Sequence, residues 1–176
     1  MGLSCACTIG CQPAPSTPSK PGSALVEGME EGIPGIAGFT VLQVAMDSAR
    51  KADRPLFIYF TGYQVGIGGG RQTNVLSSPE VASMINRSFV VLYQYVDDRQ
   101  ATSGTGLDTT TGSPRTRGAE CSEFQRATFK IASQPYVGFM DPVSMETLGG
   151  FGYQTDTERI MITLENATHY FANKAH

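Results

Sequence analysis

The segment FIYFTGYQVGIGGGRQTNVLSSPEV, from Phe57 to Val81, carries the pattern that decides the fold. It begins with an apolar run typical of a buried strand, passes through a glycine cluster, and ends at Ser78 and Pro79, which are typical of a helix start. Two kinds of site occur at such a junction. One is a phosphate-binding loop with exposed backbone N–H groups, and the other is a redox site with a stabilised cysteine thiolate. The flanking segments decide between them.

The segments on either side show alternating helical and extended patterns. Apolar residues at helical spacing predict helices over residues 40–52, 77–88 and 119–131 and from residue 155 onward. Apolar runs predict strands over residues 54–60, 89–96, 135–141 and 145–153, the last two joined by a turn at Asp141-Pro142. The predicted order is α-β-α-β-α-β-β-α, and residues 97–118 are predicted to form a long surface loop.

Capping residues predict where two of these helices begin. Thr40 with Gln43, and Thr155 with Glu158, each match the pattern of a capping box, in which two side chains bond reciprocally to the first backbone N–H groups. The last helix has an apolar face that we expect to point into the core, formed by Ile160, Ile162, Leu164, Ala167 and Phe171.

This order of elements predicts an α/β fold of the thioredoxin-like type. Strands separated by a helix favour parallel pairing with helices on both faces, whereas the last two strands form a hairpin. We expect a central mixed sheet of about four strands with an extra N-terminal helix. Residues 1–34 are rich in Pro, Ser and Gly and are predicted to be a disordered tail and linker, and residues 35–176 are predicted to form the domain.

Composition and charge argue against several classes of function. The chain has 176 residues, 40% of them hydrophobic, and a net charge of −3. This charge, with no cluster of Lys and Arg, argues against a nucleic-acid surface. No apolar run is long enough to span a bilayer. No motif predicts a bound cofactor.

Three of the four cysteines lie near the N-terminus, at Cys5, Cys7 and Cys11. A metal site in such a short tail would be poorly pre-organised. The sequence TIGC followed by a Pro-rich linker is similar to the end of a lipoprotein signal, which would tether the domain to a membrane. Thr8 is a poor residue for that motif, and no basic or long apolar region precedes it, so a truncated signal and a chance match both stay open.

The segments ARKADRPLFIYFTGY, VLSSPEVASMINRSFVVLYQYVDD and FQRATFKIASQPYVGFMDP carry a more specific signal. Together they resemble the thioredoxin-like domain at the C-terminal end of DsbD-type thiol–disulfide interchange proteins. The resemblance extends over residues 35–167, which is nearly the whole predicted domain. It implies a thioredoxin-like fold and a location on the periplasmic side of the bacterial inner membrane.

The resemblance also shows a departure from the family pattern. The two cysteines of the family's C-x-x-C motif fall on Val65 and Gly68, and no cysteine occurs between residues 63 and 74. The acidic residue that many thioredoxin-like proteins place six positions before the first cysteine is Tyr59 here. Disulfide exchange needs one thiolate to attack and a second thiol to resolve the mixed disulfide, so redox catalysis by the family's route is excluded.

Peptide binding is the function that this departure leaves in place. The resemblance implies that Pro135 corresponds to the family's cis proline, beside which an extended peptide pairs through backbone hydrogen bonds. We therefore predict a peptide-binding surface formed by Tyr63, Gln134 and Pro135, and a protein or peptide as the partner.

The glycine loop offers a second possibility. Gly68, Gly69, Gly70 and Arg71 could bind an anion through backbone N–H groups and the guanidinium. A nucleotide site is disfavoured, because the spacing of the P-loop motif is not matched and Arg71 stands where its lysine would be. Since glycine weakens helices, we expect the helix after the loop to begin late, near Gln72.

Cys121 provides the third possibility. It stands alone on a predicted helix away from the glycine loop, where it is predicted to be a small buried hydrophobic residue. Residual thiol–disulfide activity through Cys121 or through the N-terminal cysteines remains the alternative to a non-catalytic binding module.

Overall fold

A six-stranded mixed sheet lies at the centre of the fold. The computed structural model describes residues 28–63, 67–102 and 115–174, and gives only the backbone of residues 67–69. The strands are β1 (Met29–Ile33), β2 (Ile36–Phe39), β3 (Leu56–Thr61), β4 (Val90–Tyr95), β5 (Tyr136–Met140) and β6 (Thr147–Phe151). The helices are α1 (Leu42–Ala52), α2 (Ile67–Leu76), α3 (Pro79–Ser88), α4 (Arg117–Phe129) and α5 (Thr157–Ala172).

The strands lie in the order β1-β2-β4-β3-β5-β6. Strand β4 is parallel to both β2 and β3, whereas β3–β5, β5–β6 and β1–β2 are antiparallel pairs. The four strands expected from the sequence are β3 to β6, and the mixed sheet with helices on both faces is confirmed. The sheet has two more strands than expected, because β1 and β2 form an added hairpin at one edge.

The β1–β2 hairpin was missed because its sequence contains Pro34 and several glycines, which are typical of loops. Two of those glycines, Gly32 and Gly38, allow the hairpin to pack closely against Tyr93. A Cβ atom added at Gly32 or Gly38 would lie within 2.8 Å of the Tyr93 ring. The predicted boundary at residue 34 is therefore too late, since the ordered fold includes Met29–Ile33. The rest of the predicted tail, residues 1–27, lies outside the described residues.

Strand β3 is buried along its whole length and separates two cores. Phe57 and Tyr59 point into a core covered by α2, α3 and α5. Ile58 and Phe60 point into a second core, covered by α1 and α4. A continuous apolar run is what a strand buried on both faces requires, and this explains why the sequence predicted β3 so clearly.

The turn between β5 and β6 is confirmed at Asp141-Pro142, and a buried carboxylate organises it. The Asp141 side chain is fully buried and accepts hydrogen bonds from the backbone N–H groups of Val143 (2.8 Å) and Ser144 (3.2 Å). Lys174, two residues after the end of α5, has its Nζ 3.5 Å from the same carboxylate. The turn thus holds the C-terminal helix against the sheet.

Both predicted capping boxes are wrong. Helix α1 begins after Val41, whose side chain makes no capping hydrogen bond. At α5 the N-cap is Asp156, whose carboxylate accepts a hydrogen bond from the Arg159 N–H at 3.2 Å. Asp156 therefore makes the capping hydrogen bond that the sequence assigned to Thr155. The predicted N-cap at Ser78, with Pro79 following, is confirmed as a position, although it makes no side-chain bond.

Two further predictions, one about where a helix begins and one about a helix face, need correction. Helix α2 begins at Ile67 rather than near Gln72, so Gly68, Gly69 and Gly70 lie inside it. Gln72 and Leu76 of α2 are fully buried, and this packing outweighs the low helix propensity of the glycines. On α5, Ile162 is 49% exposed and does not belong to the inner face.

No helix among the described residues is long and apolar enough to cross a membrane.

Candidate functional site

The carboxyl end of β3 brings the predicted peptide-binding residues to one edge of the sheet. Phe60 on β3 pairs with Tyr136 on β5, so Thr61 at the end of β3 lies beside Pro135. Tyr63 follows two residues after Thr61. The peptide bond between Gln134 and Pro135 is cis. The sequence spacing alone could not show this proximity, since 71 positions separate Tyr63 from Gln134.

The three predicted residues differ in exposure. Pro135 is buried, whereas Gln134 is exposed and the Tyr63 side chain is 63% exposed. Peptide binding by these three residues stays a prediction.

A buried glutamine holds the loop that precedes β5. Gln125 on α4 is fully buried. Its Nε2 donates a hydrogen bond to the Ser133 carbonyl oxygen at 2.9 Å, and its Oε1 accepts one from Gln134 Nε2 at 2.8 Å. Both ends of the Gln125 amide are therefore used to fix residues 133–134. Sequence analysis missed Gln125, although a polar residue beside Phe124 on the inner side of a helix could have been noticed.

Tyr63 is held by the end of β4. Its ring stacks on the ring of Tyr95 with a centroid distance of 4.2 Å and an interplanar angle of 4°. Its backbone N–H donates a hydrogen bond to Asp97 Oδ1 at 2.9 Å. Gly62 permits this approach, because a Cβ atom there would lie 2.8 Å from Asp97 Oδ2. Asp97 therefore positions the backbone of Tyr63, a contact that sequence reasoning did not identify.

Asp98 ties the end of β4 to the start of α4. It is 8% exposed, and its Oδ1 accepts a hydrogen bond from the Gln100 N–H at 2.9 Å. Its Oδ2 lies 3.8 Å from Arg117 Nε, and its carbonyl oxygen accepts from the Gly118 N–H at 2.9 Å. These contacts fix where α4 begins, and α4 in turn carries Gln125.

Val65 and Gly68, the two positions where the sequence resemblance would place cysteines, contain no thiol. Val65 lies outside the described residues, and Gly68 lies in the first turn of α2. Tyr59, where the sequence resemblance would place a buried acid, is 2% exposed, and burial raises its pKa. Tyr59 therefore keeps its proton at neutral pH and cannot act as the base that a buried carboxylate would provide.

The residues of the predicted anion site lie together on α2. Gly68, Gly69 and Gly70 are in the first turns of that helix, and Arg71 is exposed. Anion binding by these residues stays a prediction.

Cys121 lies nearer to the candidate site than expected. It is half-buried on α4 and lines a cavity of about 210 Å³ together with Tyr63 and Arg117. The prediction that it lies away from the loop is therefore wrong as far as Tyr63 is concerned. Burial raises the pKa of its thiol to about 11. The group is protonated at neutral pH, and a protonated thiol is a weak nucleophile.

Metal binding has no support among the described residues. They contain no group of three or more His, Cys, Asp or Glu side chains that could hold a metal ion.

Comparison with known proteins supports the fold but gives no family. No protein-family model matches the chain, and no curated protein matches it. Among solved structures, a thioredoxin from Thermus thermophilus is similar, with 20% identity over 72% of this chain and 82% of that chain and a TM-score of 0.53. The DsbH oxidoreductase is similar with 13% identity over 82% of this chain and 94% of that chain, also with a TM-score of 0.53. The chain has a thioredoxin-like fold.

Proposed function

We propose that this protein is a non-catalytic thioredoxin-fold module that binds an extended peptide beside the Gln134-Pro135 segment. The peptide would pair through its backbone with the exposed segment at Gln134, and its side chains would contact the ring of Tyr63. Backbone pairing of this kind recognises an extended chain without any thiol. The partner is then an unfolded or extended stretch of another protein.

One observation carries the proposal: the Gln125 amide fixes the loop that presents Gln134. Gln125 is fully buried and bonded at both ends of its amide to residues 133–134. Burying such a polar group is favourable only when its hydrogen bonds are made, so this arrangement holds the loop in one geometry. A loop fixed before binding loses less conformational freedom when a peptide docks.

The chemistry of the thiols supports the non-catalytic part of the proposal. With a pKa of about 11, Cys121 would be a thiolate in about one molecule in ten thousand at pH 7. A single thiol that attacked a disulfide would also remain bound to its partner until a second thiol released it. Neither Val65 nor Gly68, where the resemblance would place the two cysteines, can supply that thiol.

Two exposed tyrosines allow a matched test with a fluorescent, reduced and alkylated α-lactalbumin as the unfolded probe. Tyr63 is 63% exposed at the proposed surface, and Tyr170 is 64% exposed on α5. We expect Tyr63→Ala to weaken binding about tenfold in a fluorescence anisotropy titration and Tyr170→Ala to leave it unchanged, because buried aromatic contacts dominate binding energy. Equal effects of the two substitutions would contradict the proposed surface.

Thiol exchange through Cys121 is the second candidate function. It is favoured by one observation, namely that Cys121 and Tyr63 line the same cavity. An insulin-reduction assay with a dithiol reductant separates the two candidates. The proposal requires no turnover above the reductant alone, whereas turnover that Cys121→Ser abolished would establish the second candidate in its place.

Anion binding at residues 68–71 is tested independently by thermal melting in phosphate. A ligand that binds only the folded chain raises its melting temperature. We expect no phosphate-dependent rise, and a rise lost in Arg71→Ala would support the anion site.

We further propose that the protein acts on the periplasmic side of the bacterial inner membrane, tethered through its N-terminal segment. This rests on the resemblance of its motifs to DsbD-type proteins. Fractionation of cells that express the full gene product would test it, and recovery of the protein in the cytoplasm would contradict it.

A further inference from the structure

An open cleft lies between the first turn of α1 and the first half of α4. Its volume is about 680 Å³. Residues 40–43 line it from the side of α1, Cys121 and Phe124 line it from α4, and residues 100–102 complete the lining beside them. The loop at residues 100–102 is held against the start of α4, because the Thr102 N–H donates a hydrogen bond to the Arg115 carbonyl oxygen at 3.0 Å.

This cleft borders the smaller cavity that Tyr63 lines, and the two share Cys121 and Arg117. Among the described residues, neither Tyr63 nor Gln134 lines the larger cleft. The inference below therefore goes beyond peptide binding at Gln134 and does not depend on it.

The first turn of α1 offers backbone N–H groups that have no partner in the described part of the chain. The first N–H groups of a helix have no carbonyl partner within it, and Val41 at the N-cap makes no side-chain hydrogen bond to them. The N–H of Ala45 is bonded to the Val41 carbonyl oxygen at 3.1 Å, which leaves those of residues 42–44 available. The first turn also contains no acidic side chain. Its partial positive charge therefore favours a bound anion.

Gln94 provides a second, independent indication of a ligand. It lines the cleft and is only 6% exposed. Its Nε2 donates a hydrogen bond to the Tyr93 carbonyl oxygen at 3.0 Å, whereas its Oε1 accepts none from any described residue. Unlike Gln72 Oε1, which is fully enclosed, Gln94 Oε1 retains accessible surface. Since nearly all buried polar groups in folded proteins have a partner, a ligand donor that reached this oxygen would complete its hydrogen bonding.

The register of the sheet places Gln94 beside the start of α1. Phe39 of β2 pairs in parallel with Leu92 of β4, and α1 begins three residues after Phe39. Side chains two positions apart on a strand point to the same face, so Gln94 lies on the face of Leu92. That face packs against α1, because Leu92 and Ala45 belong to the same core. The N–H donors and the Gln94 acceptor therefore border one cleft.

The charged side chains of the lining leave the sign of the ligand to the helix. Arg117 and Glu120 are the charged residues among the described lining, and their charges cancel. Each also has a partner outside it, since Arg117 Nε lies 3.8 Å from Asp98 Oδ2 and Glu120 Oε1 lies 3.9 Å from Arg115 Nε. The positive end of α1 then favours a carboxylate.

The remaining lining favours a ligand that is partly apolar. Leu42, Cys121 and Phe124 are half-buried in the cleft, and Val41 is 45% exposed at its side. A ligand that covered these side chains would remove apolar surface from water.

We propose that this cleft binds an N-acylated α-amino acid with an apolar side chain. Its carboxylate accepts hydrogen bonds from the N–H groups at the start of α1, and its amide N–H donates one to Gln94 Oε1. The C-terminal residue of a peptide has the same chemistry, because it carries a carboxylate and a backbone N–H on one carbon. The two sources differ only in the length of the acyl group.

Three small probes test the proposal by NMR titration of the isotope-labelled whole chain. We expect N-acetyl-leucine to shift the backbone resonances of Leu42, Gln43 and Gln94 saturably. N-acetyl-leucinamide lacks the carboxylate and should bind about fivefold more weakly. 4-Methylpentanoate lacks the amide N–H and should bind about tenfold more weakly.

A pentapeptide of four glycines and a C-terminal leucine separates the two sources. Tighter binding of this peptide than of N-acetyl-leucine assigns the cleft to the C-terminus of a peptide. Equal or weaker binding of the peptide assigns it to a free N-acylated amino acid. Either result supports the proposed chemistry.

Substitution at the N-cap tests the role of the helix. Asp is a preferred N-cap residue, so the carboxylate of Val41→Asp would itself accept hydrogen bonds from the first turn. We expect this variant to melt at a higher temperature and to bind N-acetyl-leucine about tenfold more weakly. Val143→Asp makes the same change at a position that is 59% exposed and outside the described lining, and it should leave binding unchanged.

Gln94→Met tests the acceptor, because it removes the amide and nearly preserves the size of the side chain. It should weaken binding of N-acetyl-leucine to the level of 4-methylpentanoate and leave binding of 4-methylpentanoate itself unchanged. A general disturbance of the cleft would weaken binding of both acids. Thermal melting checks that the variant folds.

Three results would overturn the proposal: no saturable shift with N-acetyl-leucine, equal binding of 4-methylpentanoate, or undiminished binding of N-acetyl-leucine by a folded Val41→Asp variant. Binding of reduced and alkylated α-lactalbumin is measured on the same variant and should be unchanged, since Val41 lies outside the surface at Tyr63 and Gln134. The two proposals therefore fail separately.

Discussion

The Cys121 thiol lies half-buried on α4, and burial raises its pKa to about 11. A thiol with this pKa is protonated near neutral pH, where disulfide exchange needs a thiolate. The sequence predicted Cys121 as an inert residue, and it also predicted Tyr63 and Gln134 as surface residues. It could not predict Gln125 or Asp97, because their partners lie on other elements and only the folded chain brings them together.

The raised pKa of Cys121 makes a prediction about alkylation. The rate at which Cys121 itself reacts with iodoacetamide, followed by peptide mass spectrometry to separate it from Cys5, Cys7 and Cys11, should stay low at pH 8 and rise toward a midpoint near pH 11. The folded-state pKa exceeds the ordinary value of 9.0, so the unfolded chain releases its proton first. The stability contributed by this thiol is therefore present below pH 9 and is lost as pH rises toward 11. A reaction midpoint near pH 7 in the folded protein would contradict the inert role.

A second prediction at this scale concerns Tyr93, whose hydroxyl ties the β1–β2 hairpin to the sheet. It accepts a hydrogen bond from the Ile33 N–H at 3.1 Å and donates one to the Ile36 carbonyl oxygen at 2.7 Å. Tyr93→Phe should lower the free energy of unfolding by about 1–3 kcal/mol, because it leaves buried backbone groups unpaired. Urea denaturation measures the change, and Tyr170→Phe, at an exposed position, should cause almost none.

Among the elements, strands β3 to β6 and helices α1, α3, α4 and α5 follow from apolar periodicity and turn residues. The start of α2 does not follow from the sequence, because its glycines disfavour a helix there. In the folded chain the burial of Gln72 and Leu76 stabilises the helix in spite of these glycines. The β1–β2 hairpin also escapes prediction, since its glycines are required by contact with Tyr93, a residue about 60 positions away. Contacts between residues so far apart in the chain leave no pattern in the local sequence from which they could be predicted.

Two helical glycines give opposite predictions at the element scale. Gly70 lies in α2 with no atom within 4 Å of an added Cβ, so Gly70→Ala should raise the free energy of unfolding by about 0.5–1 kcal/mol. Gly118 lies in the first turn of α4, where an added Cβ would meet the Val96 carbonyl oxygen at 2.6 Å. Gly118→Ala should therefore be destabilising by about 1–3 kcal/mol. Urea denaturation of both variants compares them, and a stabilising Gly118→Ala would contradict the close packing of α4 on β4.

At the scale of the whole molecule, the thioredoxin-like fold was predicted from the order of elements and from three motif segments. The fold brings the end of β3, the end of β4 and the loop before β5 to one edge, where Tyr63 and Gln134 lie. In the account proposed above, an extended chain binds at this edge of the fold, and the fold lacks the paired thiols. Recognition and electron exchange are separate properties of the fold, since the first uses backbone groups and the second uses sulfur.

The most direct test of this account is to map where an unfolded chain binds. Titration of the isotope-labelled protein with reduced and alkylated α-lactalbumin, followed by NMR, should shift resonances of Tyr63, Ser133 and Gln134 and leave those of Tyr170 in place. Gln125→Leu should broaden or abolish the response, because the loop at residues 133–134 loses both hydrogen bonds that fix it. Shifts confined to other surfaces, or no binding at any concentration, would contradict the central claim.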